Sequence, residues 1–453
     1  MKEFYGSDSN ELHRTEMTPR IMKVSFYGAA EEVGRSCLMV SAGDANILLD
    51  AGLGNVNEQE GSEMRMPEIT DETLSSIDAI VVTHAHLDHC CFVAHAYARG
   101  FSGKVYATKP TVELMKLQVA DYVRISKPKE ITGGVLKKLS GSYVYSEYRK
   151  PIFIKGVKVE FINAGHILGS AMIRLSYGGK SLLYTGDMNL QSSLVLNGAD
   201  MNGIYADTLI MESTYGGDAD VFGGREARAA DMVKSINETI LQGGKVIIPS
   251  FGIGRSQEVL MLLHNAMERG QLQRTPIYVD GAIGKIMKIH RQNLRYCRKD
   301  VRSAMQSDKN FEFVGKRDRN RIARGGSCIV VTTSGMMKGG PVVFYLRKLA
   351  GDPNNKLIIV GYQAEGTPGR LIRDGAKEVE LDGKMLQIRL KIEQHRIMAH
   401  SDRLMLDRTP EMIKGVRKIF LVHGDIEKQR SLGTHMAPRY ATVVPKIGET
   451  YTA

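Results

Sequence analysis

Two features are scarce in this sequence: paired cysteines and long apolar runs. The five cysteines include no CxxC pair, which excludes a structural zinc ribbon. An odd number of cysteines in a chain without a secretory signal indicates reduced thiols. Cys90 and Cys91 follow a group of histidines, and we interpret them as small buried residues at the start of a helix.

No apolar run reaches the roughly 18–20 residues that a membrane-spanning helix needs. The first twenty residues are polar and mixed in charge, without the apolar centre of a secretory signal. We therefore expect a cytoplasmic protein without a membrane partner, in which residues 1–20 form an N-terminal extension.

The length and charge of the chain set further limits. With 453 residues, 43% of them hydrophobic and 25% charged, the chain is globular and long enough for two domains. The net charge is +11, and the segment from Lys285 to Arg324 holds thirteen basic and four acidic residues, which is nine of that excess. A basic segment attracts polyanions, although an isolated one is more often a solvated helix face.

The most informative motif is His84-Ala85-His86-Leu87-Asp88-His89, which directly follows the apolar run Ala79–Val82. Imidazole nitrogen and carboxylate oxygen are the ligands of catalytic zinc sites. A capping or packing role is ordinary for one histidine, but it explains poorly three histidines and an aspartate at a strand end. The motif therefore predicts a metal site.

Other strand ends offer further ligands. His166 lies between small residues, Asp187 follows the apolar run Ser181–Tyr184, and His423 follows Leu421-Val422. Each alone is more often a cap or a satisfied polar group. Together with the motif at 84–89, they supply the six to eight ligands or so that a two-metal hydrolase needs. Beside such a site, the basic segment favours nucleic acid as the substrate.

Strands and helices alternate along the chain, and the pattern of apolar segments changes after Glu212. Apolar strands at 245–249, 277–280, 328–332 and 357–360 alternate with helical segments, which predicts a doubly wound, largely parallel domain. Ligand-type loops resume near His400. This order predicts a first domain that is interrupted by an insertion and completed by the C-terminal residues.

These motifs resemble a known family. Asp50, the 84–89 motif, His166 and Asp187 are similar, in that order, to the four motifs of the metallo-β-lactamase superfamily. Three later segments resemble motifs A, B and C of its β-CASP branch, whose members cut nucleic acids; they are Glu212–Gly216, Met398–Asp402 and Leu421–Gly424. The archaeal cleavage-and-polyadenylation-specificity-factor-like ribonucleases are the most similar group, in their short type without KH domains.

The resemblance implies an α/β fold, in which a metallo-β-lactamase αββα sandwich carries an inserted doubly wound β-CASP domain. The implied divisions are residues 21–212 for the first part of the sandwich, 213–392 for the β-CASP domain and 393–453 for the returning part of the sandwich.

The resemblance also implies a role for each motif residue. Two Zn²⁺ ions would share Asp187; His84, His86 and His166 would bind the first, and Asp88, His89 and His423 the second. A hydroxide bridging the two ions would attack the scissile phosphorus.

Asp50, Asp88, Glu212 and His400 are the implied catalytic residues. Asp50 would fix the histidine loop, and Asp88 would act as a metal ligand. His400 would protonate the leaving 3′ oxygen or stabilise charge on the phosphate, and Glu212 would orient His400.

Histidine at motif C resembles the RNA-acting members of the family, whereas DNA-repair members have valine there. We therefore expect a zinc-dependent ribonuclease acting on single-stranded RNA, as an endonuclease in RNA 3′-end processing or decay. The alternative on the same fold is a 5′→3′ exoribonuclease. A thioester or lactam hydrolase is disfavoured by the large basic insertion, and an inactive RNA-binding subunit by the complete ligand set.

Three loops of the inserted domain are candidate RNA contacts, through Arg255, Ser334, Tyr362 and Arg370. Glycine turns without a ligand, or packing between domains, would explain the same loops. The family pattern favours RNA contact. The resemblance also favours a homodimer, and the segment Tyr440–Pro445 either closes the core sheet or joins a dimer.

Overall fold

The computed structural model describes residues 21–54, 64–307 and 309–453, so the predicted extension at residues 1–20 lies outside the described residues. Strands and helices are numbered along the chain. A seven-stranded sheet opens the fold, in the order β22-β1-β2-β3-β4-β5-β6. Its strands are β1 Met22–Phe26, β2 Leu38–Ala42, β3 Ala45–Leu49, β4 Ala79–Val81, β5 Lys104–Thr108, β6 Tyr143–Ser146 and β22 Thr450–Thr452.

A second seven-stranded sheet has the order β21-β20-β11-β10-β9-β8-β7. Its strands are β7 Ile152–Ile154, β8 Val157–Asn163, β9 Ala171–Tyr177, β10 Lys180–Tyr184, β11 Thr208–Glu212, β20 Lys418–Val422 and β21 Ala441–Val443. β21 pairs in parallel with β20, so the C-terminal segment around residue 441 closes this sheet.

The two sheets bury one apolar core between them. Alternate residues of each strand face that core, as the twofold repeat of a strand requires. Val24, Phe26, Phe161, Tyr184 and Phe420 belong to it and are at most 1% exposed. The alternation that marks these strands in the sequence therefore follows from their burial on one face.

Helices cover the outer faces of both sheets and complete the predicted αββα sandwich. They are α1 Asp71–Ser76, α2 Leu87–Cys90, α3 Phe92–Ala98, α4 Lys109–Ser126 and α5 Gly133–Ser140 on the first sheet, and α13 Arg403–Arg408 and α14 Ile426–Met436 on the second. α4 shows how the sequence sets such bounds. Thr108 caps its first turn by accepting from Thr111 N, Pro110 fits that turn, and Lys127 ends the helix at φ 48°.

The inserted lobe, residues 225–394, is built on a six-stranded sheet in which every pair is parallel, in the order β14-β13-β15-β12-β16-β19. Its strands are β12 Val246–Pro249, β13 Ile277–Asp280, β14 Glu312–Val314, β15 Ile329–Thr332, β16 Lys356–Ile359 and β19 Lys391–Gln394, with the hairpin β17 Glu378–Leu381 and β18 Lys384–Gln387 beside it. β19 thus spans residue 392, which was the predicted end of the β-CASP domain.

Helices lie on both faces of this sheet, as the doubly wound prediction requires. Val246 and Ile248 face the helices α6 Arg225–Leu241, α7 Arg255–Glu268, α8 Ile283–Gln292 and α9 Arg302–Gln306. Ile247, between them, faces the helices α10 Arg319–Arg324, α11 Pro341–Leu349 and α12 Pro368–Arg373. The described residues also form three 3₁₀ turns: Leu294–Tyr296, Lys299–Val301 and Thr409–Met412. Among the described helices, none has both the length and the apolarity to cross a membrane.

The chain returns from the inserted lobe to the strand that it left. β11 and β20 pair in parallel, with Glu212 opposite Val422. The residues that follow these two strands are therefore brought to the same edge of the second sheet.

Candidate metal centre and active site

The candidate ligands gather at one end of the sandwich because each follows a strand that ends there. The 84–89 motif follows β4. Its last three residues lie in the single-turn helix α2, and His86 is the N-cap of that helix. The others follow β8, β10 and β20; they are His166, Asp187 and His423.

A first group of donors surrounds one point. His86 Nδ1 lies 3.2 Å from His84 Nε2 and 3.1 Å from His166 Nε2. Asp187 Oδ2 lies 3.5 Å from His84 Nε2 and 3.6 Å from His166 Nε2. Three imidazole nitrogens and a carboxylate oxygen that face one another in this way form a metal-binding arrangement.

A second group lies beside the first. His89 Nε2 is 3.3 Å from His423 Nε2, which is 3.4 Å from Asp88 Oδ2. Asp187 Oδ1 is 3.3 Å from His89 Nε2 and 3.3 Å from His423 Nδ1. The two oxygens of Asp187 thus face different groups, and the structure brings together all seven ligands predicted from the sequence.

The chemistry of Asp187 fits a bound cation. Its side chain is 3% exposed, and within the described residues Oδ1 accepts no hydrogen bond. Burial would raise the pKa of this carboxyl, but His423 and His89 hold it well below its usual range, so the group is ionised. A buried carboxylate oxygen with no hydrogen donor is expected to have a cation as its partner.

The first group of histidines is also in the protonation state that binds metal. Burial lowers the pKa of His84, His86 and His166, so their imidazoles are neutral at pH 7. His166 Nδ1 donates to the carbonyl of Ala399 at 2.8 Å, which directs its Nε2 to the centre. A neutral imidazole that is oriented through its other nitrogen is the usual metal ligand.

Asp50 lies behind the histidines and accepts four hydrogen bonds. Its Oδ1 accepts from Thr83 N at 2.7 Å, and its Oδ2 accepts from Thr83 Oγ1 at 2.8 Å. Oδ2 also accepts from His89 Nδ1 at 2.7 Å and from the Tyr184 hydroxyl at 2.9 Å. Asp50 therefore fixes both the backbone at the start of the motif and the tautomer of His89. Tyr184 was missed in the sequence, where it reads as one more apolar strand residue.

Glu212 and His400 form a buried pair next to Asp187. His400 Nδ1 lies 2.8 Å and 3.1 Å from the two oxygens of Glu212, and Oε1 also accepts from Met188 N at 2.6 Å. Both oxygens of Glu212 are thus committed, and it orients His400 rather than facing the centre. Burial would lower the pKa of His400, but Glu212 and Asp187 raise it above 6.5. His400 Nε2 lies 3.8 Å from Asp187 Oδ2, so the second ring nitrogen of His400 faces the centre.

The inserted lobe also contacts the centre. The carbonyl of Ile253 lies 3.5 Å from His86 Nε2, and the carbonyl comes from the glycine-rich turn after β12. Thr214, in the segment that leads from β11 to the lobe, has its Oγ1 3.2 Å from His423 Nδ1. Neither contact has a clear sequence signal, because one uses a backbone group and the other a common threonine.

The four candidate RNA contacts lie in the inserted lobe after β12, β15 and β16. Ser334 and Tyr362 are on loops, Arg255 begins α7, and Arg370 lies in α12. Tyr362 is 47% exposed, whereas Arg255 has buried Nε and Nη1 atoms that donate no hydrogen bond within the described residues. Ser334 donates to the carbonyl of Gly339 at 3.0 Å, and Arg370 pairs with Asp374 at 2.5 Å. Ser334 and Arg370 thus have partners inside the chain, and Tyr362 and Arg255 are the better placed for a ligand.

Comparison with known proteins agrees with this geometry. Residues 30–229 match the model of the metallo-beta-lactamase superfamily, and residues 256–372 match that of the Beta-Casp domain. An RNase J-like protein of Methanocaldococcus jannaschii is 36% identical over 414 residues, which cover 91% of this chain and 94% of that protein. The chain belongs to the β-CASP family of metallo-β-lactamase-fold nucleases. It resembles the archaeal members related to cleavage and polyadenylation specificity factor, and it is a hydrolytic nuclease.

Other β-CASP relatives carry a different name. The transcription termination factor FttA of Methanocaldococcus jannaschii is 37% identical over 90% of this chain and 67% of its own length. FttA of Methanothermobacter thermautotrophicus is 35% identical over 92% of this chain and 69% of its own length. A crystal structure of a protein of unknown function from Enterococcus faecalis V583 shares the fold, with a TM-score of 0.57, 13% identity and coverage of 96% of this chain and all of that one.

Proposed function

We propose that this β-CASP nuclease is a ribonuclease that hydrolyses phosphodiester bonds of single-stranded RNA with two Zn²⁺ ions. One observation carries the proposal: Asp187 directs one oxygen at each of two ligand groups, and His400 lies beside the same carboxylate. Two cation sites next to an imidazole whose pKa is raised by Glu212 and Asp187 match the demands of phosphodiester hydrolysis, in which a water must be activated and a leaving oxygen protonated.

The ligands would divide as the family resemblance implies. His84, His86 and His166 would hold one ion, and Asp88, His89 and His423 would hold the other, with Asp187 between them. Nitrogen and oxygen donors in this proportion suit Zn²⁺ better than Mg²⁺ or Ca²⁺, which prefer oxygen alone. When bound, the ions would supply a nucleophilic water at neutral pH and neutralise charge on the phosphate oxygens.

A residue of the chain itself would supply the proton that the leaving group needs. Glu212 holds Nδ1 of His400, so the proton on Nε2 is the one available to the leaving 3′ oxygen. The same charge could instead stabilise the phosphate in the transition state. Either role leaves a 5′-phosphate and a 3′-hydroxyl as products. The matched proteins named RNase J-like and transcription termination factor support RNA as the substrate class.

We favour endonuclease action in RNA 3′-end processing or decay, with 5′→3′ exonuclease action as the alternative. A circular RNA separates the two modes, because it has no 5′ end to enter by. Cleavage of the circle supports an endonuclease; an intact circle, together with rapid loss of a linear 5′-monophosphate RNA, contradicts it. The cytoplasmic location and the homodimer stay predictions.

The metal assignment has its own test. Purified His89→Ala protein is expected to lose RNA cleavage and about one Zn²⁺ per chain, as measured by mass spectrometry of the metal. His435→Ala is the matched control, since His435 lies on α14 with a side chain that is 55% exposed. Cleavage by His89→Ala at the parent rate would show that the centre is placed wrongly.

A further inference from the structure

Three arginines at the junction of the sandwich and the inserted lobe have buried guanidinium nitrogens that donate no hydrogen bond within the described residues. The atoms are Nη2 of Arg225, Nε and Nη1 of Arg228, and Nε and Nη1 of Arg255. Buried donors are normally paired, because leaving a charged group unpaired is costly. Five such atoms in one region indicate acceptors that come from a ligand.

The three arginines share a location at the starts of two long helices. Arg225 is the first residue of α6, Arg228 lies one turn later, and Arg255 is the first residue of α7. Arg225 Nη1 donates to the carbonyl of Ser192 in the sandwich, so this helix start faces the other lobe. The partial positive charge at a helix N-terminus adds to the field of the guanidinium groups.

Positive charge in this region exceeds negative charge. Burial lowers the pKa of Arg225 and Arg228, and repulsion from neighbouring arginines lowers it further; Arg298 and Arg396 are among those neighbours. Arg298 pairs with Asp300 at 2.6 Å, so the carboxylates of Glu258 and Asp402 oppose the four arginines that remain, counting Arg255.

Both carboxylates are committed to backbone groups. Glu258 accepts from Leu194 N at 2.8 Å and from Val195 N at 3.0 Å. Asp402 accepts from Met405 N at 3.0 Å and so caps α13. The arginines are therefore left without a full set of acceptors.

Aromatic rings connect this region to the active site. The ring of Tyr215 lies 5.9 Å from that of His400 and 5.1 Å from that of Phe222. The guanidinium of Arg396 lies 5.1 Å from the centre of the Phe222 ring. Alternating aromatic and arginine side chains match single-stranded nucleic acid, whose bases stack on rings and whose phosphates pair with guanidinium groups.

We propose that Arg225, Arg228 and Arg255 bind backbone phosphates of the RNA next to the scissile bond, at a subsite separate from the metal centre. This inference rests on the proposed function for its substrate class. A phosphate supplies the acceptors that the guanidinium nitrogens lack, and the planar fork of arginine suits it in a way that an ammonium group does not.

The test measures binding without cleavage. Chelator-treated protein is titrated into a fluorescently labelled 20-nucleotide single-stranded RNA, and anisotropy is recorded between 50 and 300 mM salt. Arg225→Gln, Arg228→Gln and Arg255→Gln are each expected to weaken binding about threefold to tenfold and to reduce the salt slope by about one. Arg255→Lys keeps the charge without the fork, so it should fall between parent and Gln variant.

The matched control is Arg124→Gln, which removes the same charge from the surface of α4, where Arg124 pairs with Asp121 at 3.2 Å. It should bind RNA within about twofold of the parent. The Arg228 and Arg255 variants should also unfold at the parent temperature or higher, because each removes a buried charge whose Nε and Nη1 donate no hydrogen bond within the described residues. A residue that only supports the fold would instead lower that temperature.

Parent-like affinity and salt slope in the three Gln variants would overturn the inference. Losses of affinity no larger than that of Arg124→Gln would also overturn it. So would poly-glutamate that binds as tightly as RNA and whose binding the variants weaken equally, because the site would then bind acidic protein segments. If the parent protein binds RNA but does not cut it in the presence of Zn²⁺, the proposed function is wrong, whereas the binding test of the three arginines remains valid.

Discussion

The carbonyl oxygen of Ile253, in the inserted lobe, lies 3.5 Å from Nε2 of His86, in the metal centre of the sandwich. His86 presents its other nitrogen, Nδ1, to His84 and His166. The inserted lobe therefore orients a ligand directly, and its position relative to the sandwich is part of the geometry of the site.

Gly254→Ala should disturb that contact. Gly254 has φ +82°, and a Cβ there would come within 2.6 Å of Ile167 Cγ2, so the turn that carries Ile253 must move. We expect metal affinity about tenfold weaker and cleavage reduced at least as much. Gly270→Ala is the control, because Gly270 has φ +66° with open space around its Cβ position. Equal losses in both variants would assign the effect to backbone strain.

Asp50→Asn should weaken the second metal site. The neutral amide replaces a carboxylate that accepts from Thr83, His89 and Tyr184, and one of its two ends can only donate. We expect metal affinity lower by about 10–100-fold, measured by titration with a competing chelator. Tyr184→Phe removes one of the four hydrogen bonds and should cost only a few-fold. If the Asp50→Asn variant binds metal like the parent, the orienting role is wrong.

Glu212→Gln should change the pH dependence of cleavage. Glu212 and Asp187 raise the pKa of His400 above 6.5 against the effect of burial, so its proton is lost only as the pH rises through that raised value. Without the Glu212 charge the pKa falls, and the alkaline limb of the rate profile moves to lower pH. The rate at the optimum should fall about 10²-fold. An alkaline limb at the parent position would show that His400 is not the acid.

Glu258→Gln should loosen the contact between the two lobes. Glu258 is 6% exposed and accepts from Ser193 Oγ at 2.5 Å as well as from two backbone amides of the same loop. Loss of the charged acceptor should lower the free energy of unfolding by about 1.5–3 kcal/mol in urea titrations. Metal content should stay at the parent level, since all seven ligands belong to the sandwich; a loss of metal would count against this division of roles.

Removal of the metal should destabilise the parent. Without a cation, Asp187 Oδ1 stays buried with no hydrogen donor among the described residues. A ligand present at about 1,000 times its dissociation constant stabilises the folded state by about 4 kcal/mol, so Zn²⁺ should raise the unfolding temperature of chelator-treated protein by several degrees. An unfolding temperature that ignores Zn²⁺ would contradict the fit of the site to a cation.

The sequence indicated the candidate ligands, which the structure brings together, more clearly than the groups that support them. His84, Asp187 and His423 were recognisable because the dense 84–89 motif gives meaning to single ligand-type residues that follow other apolar strands. The carbonyls of Ile253 and Ala399 also hold the centre, yet a backbone group leaves no mark in the sequence. Arg225 and Arg228 likewise read as ordinary residues of a solvated helix start, since their burial depends on a loop from the other lobe.

The pairing of early and late strands has a consequence during synthesis. β20 adds to β11, β22 adds to β1, and His423 lies between the two late strands. A nascent chain whose last strands are still inside the ribosome has neither sheet complete and lacks a ligand. The candidate metal centre is therefore completed only after residue 423 has left the ribosome, whereas the His84–His89 motif emerges early in synthesis.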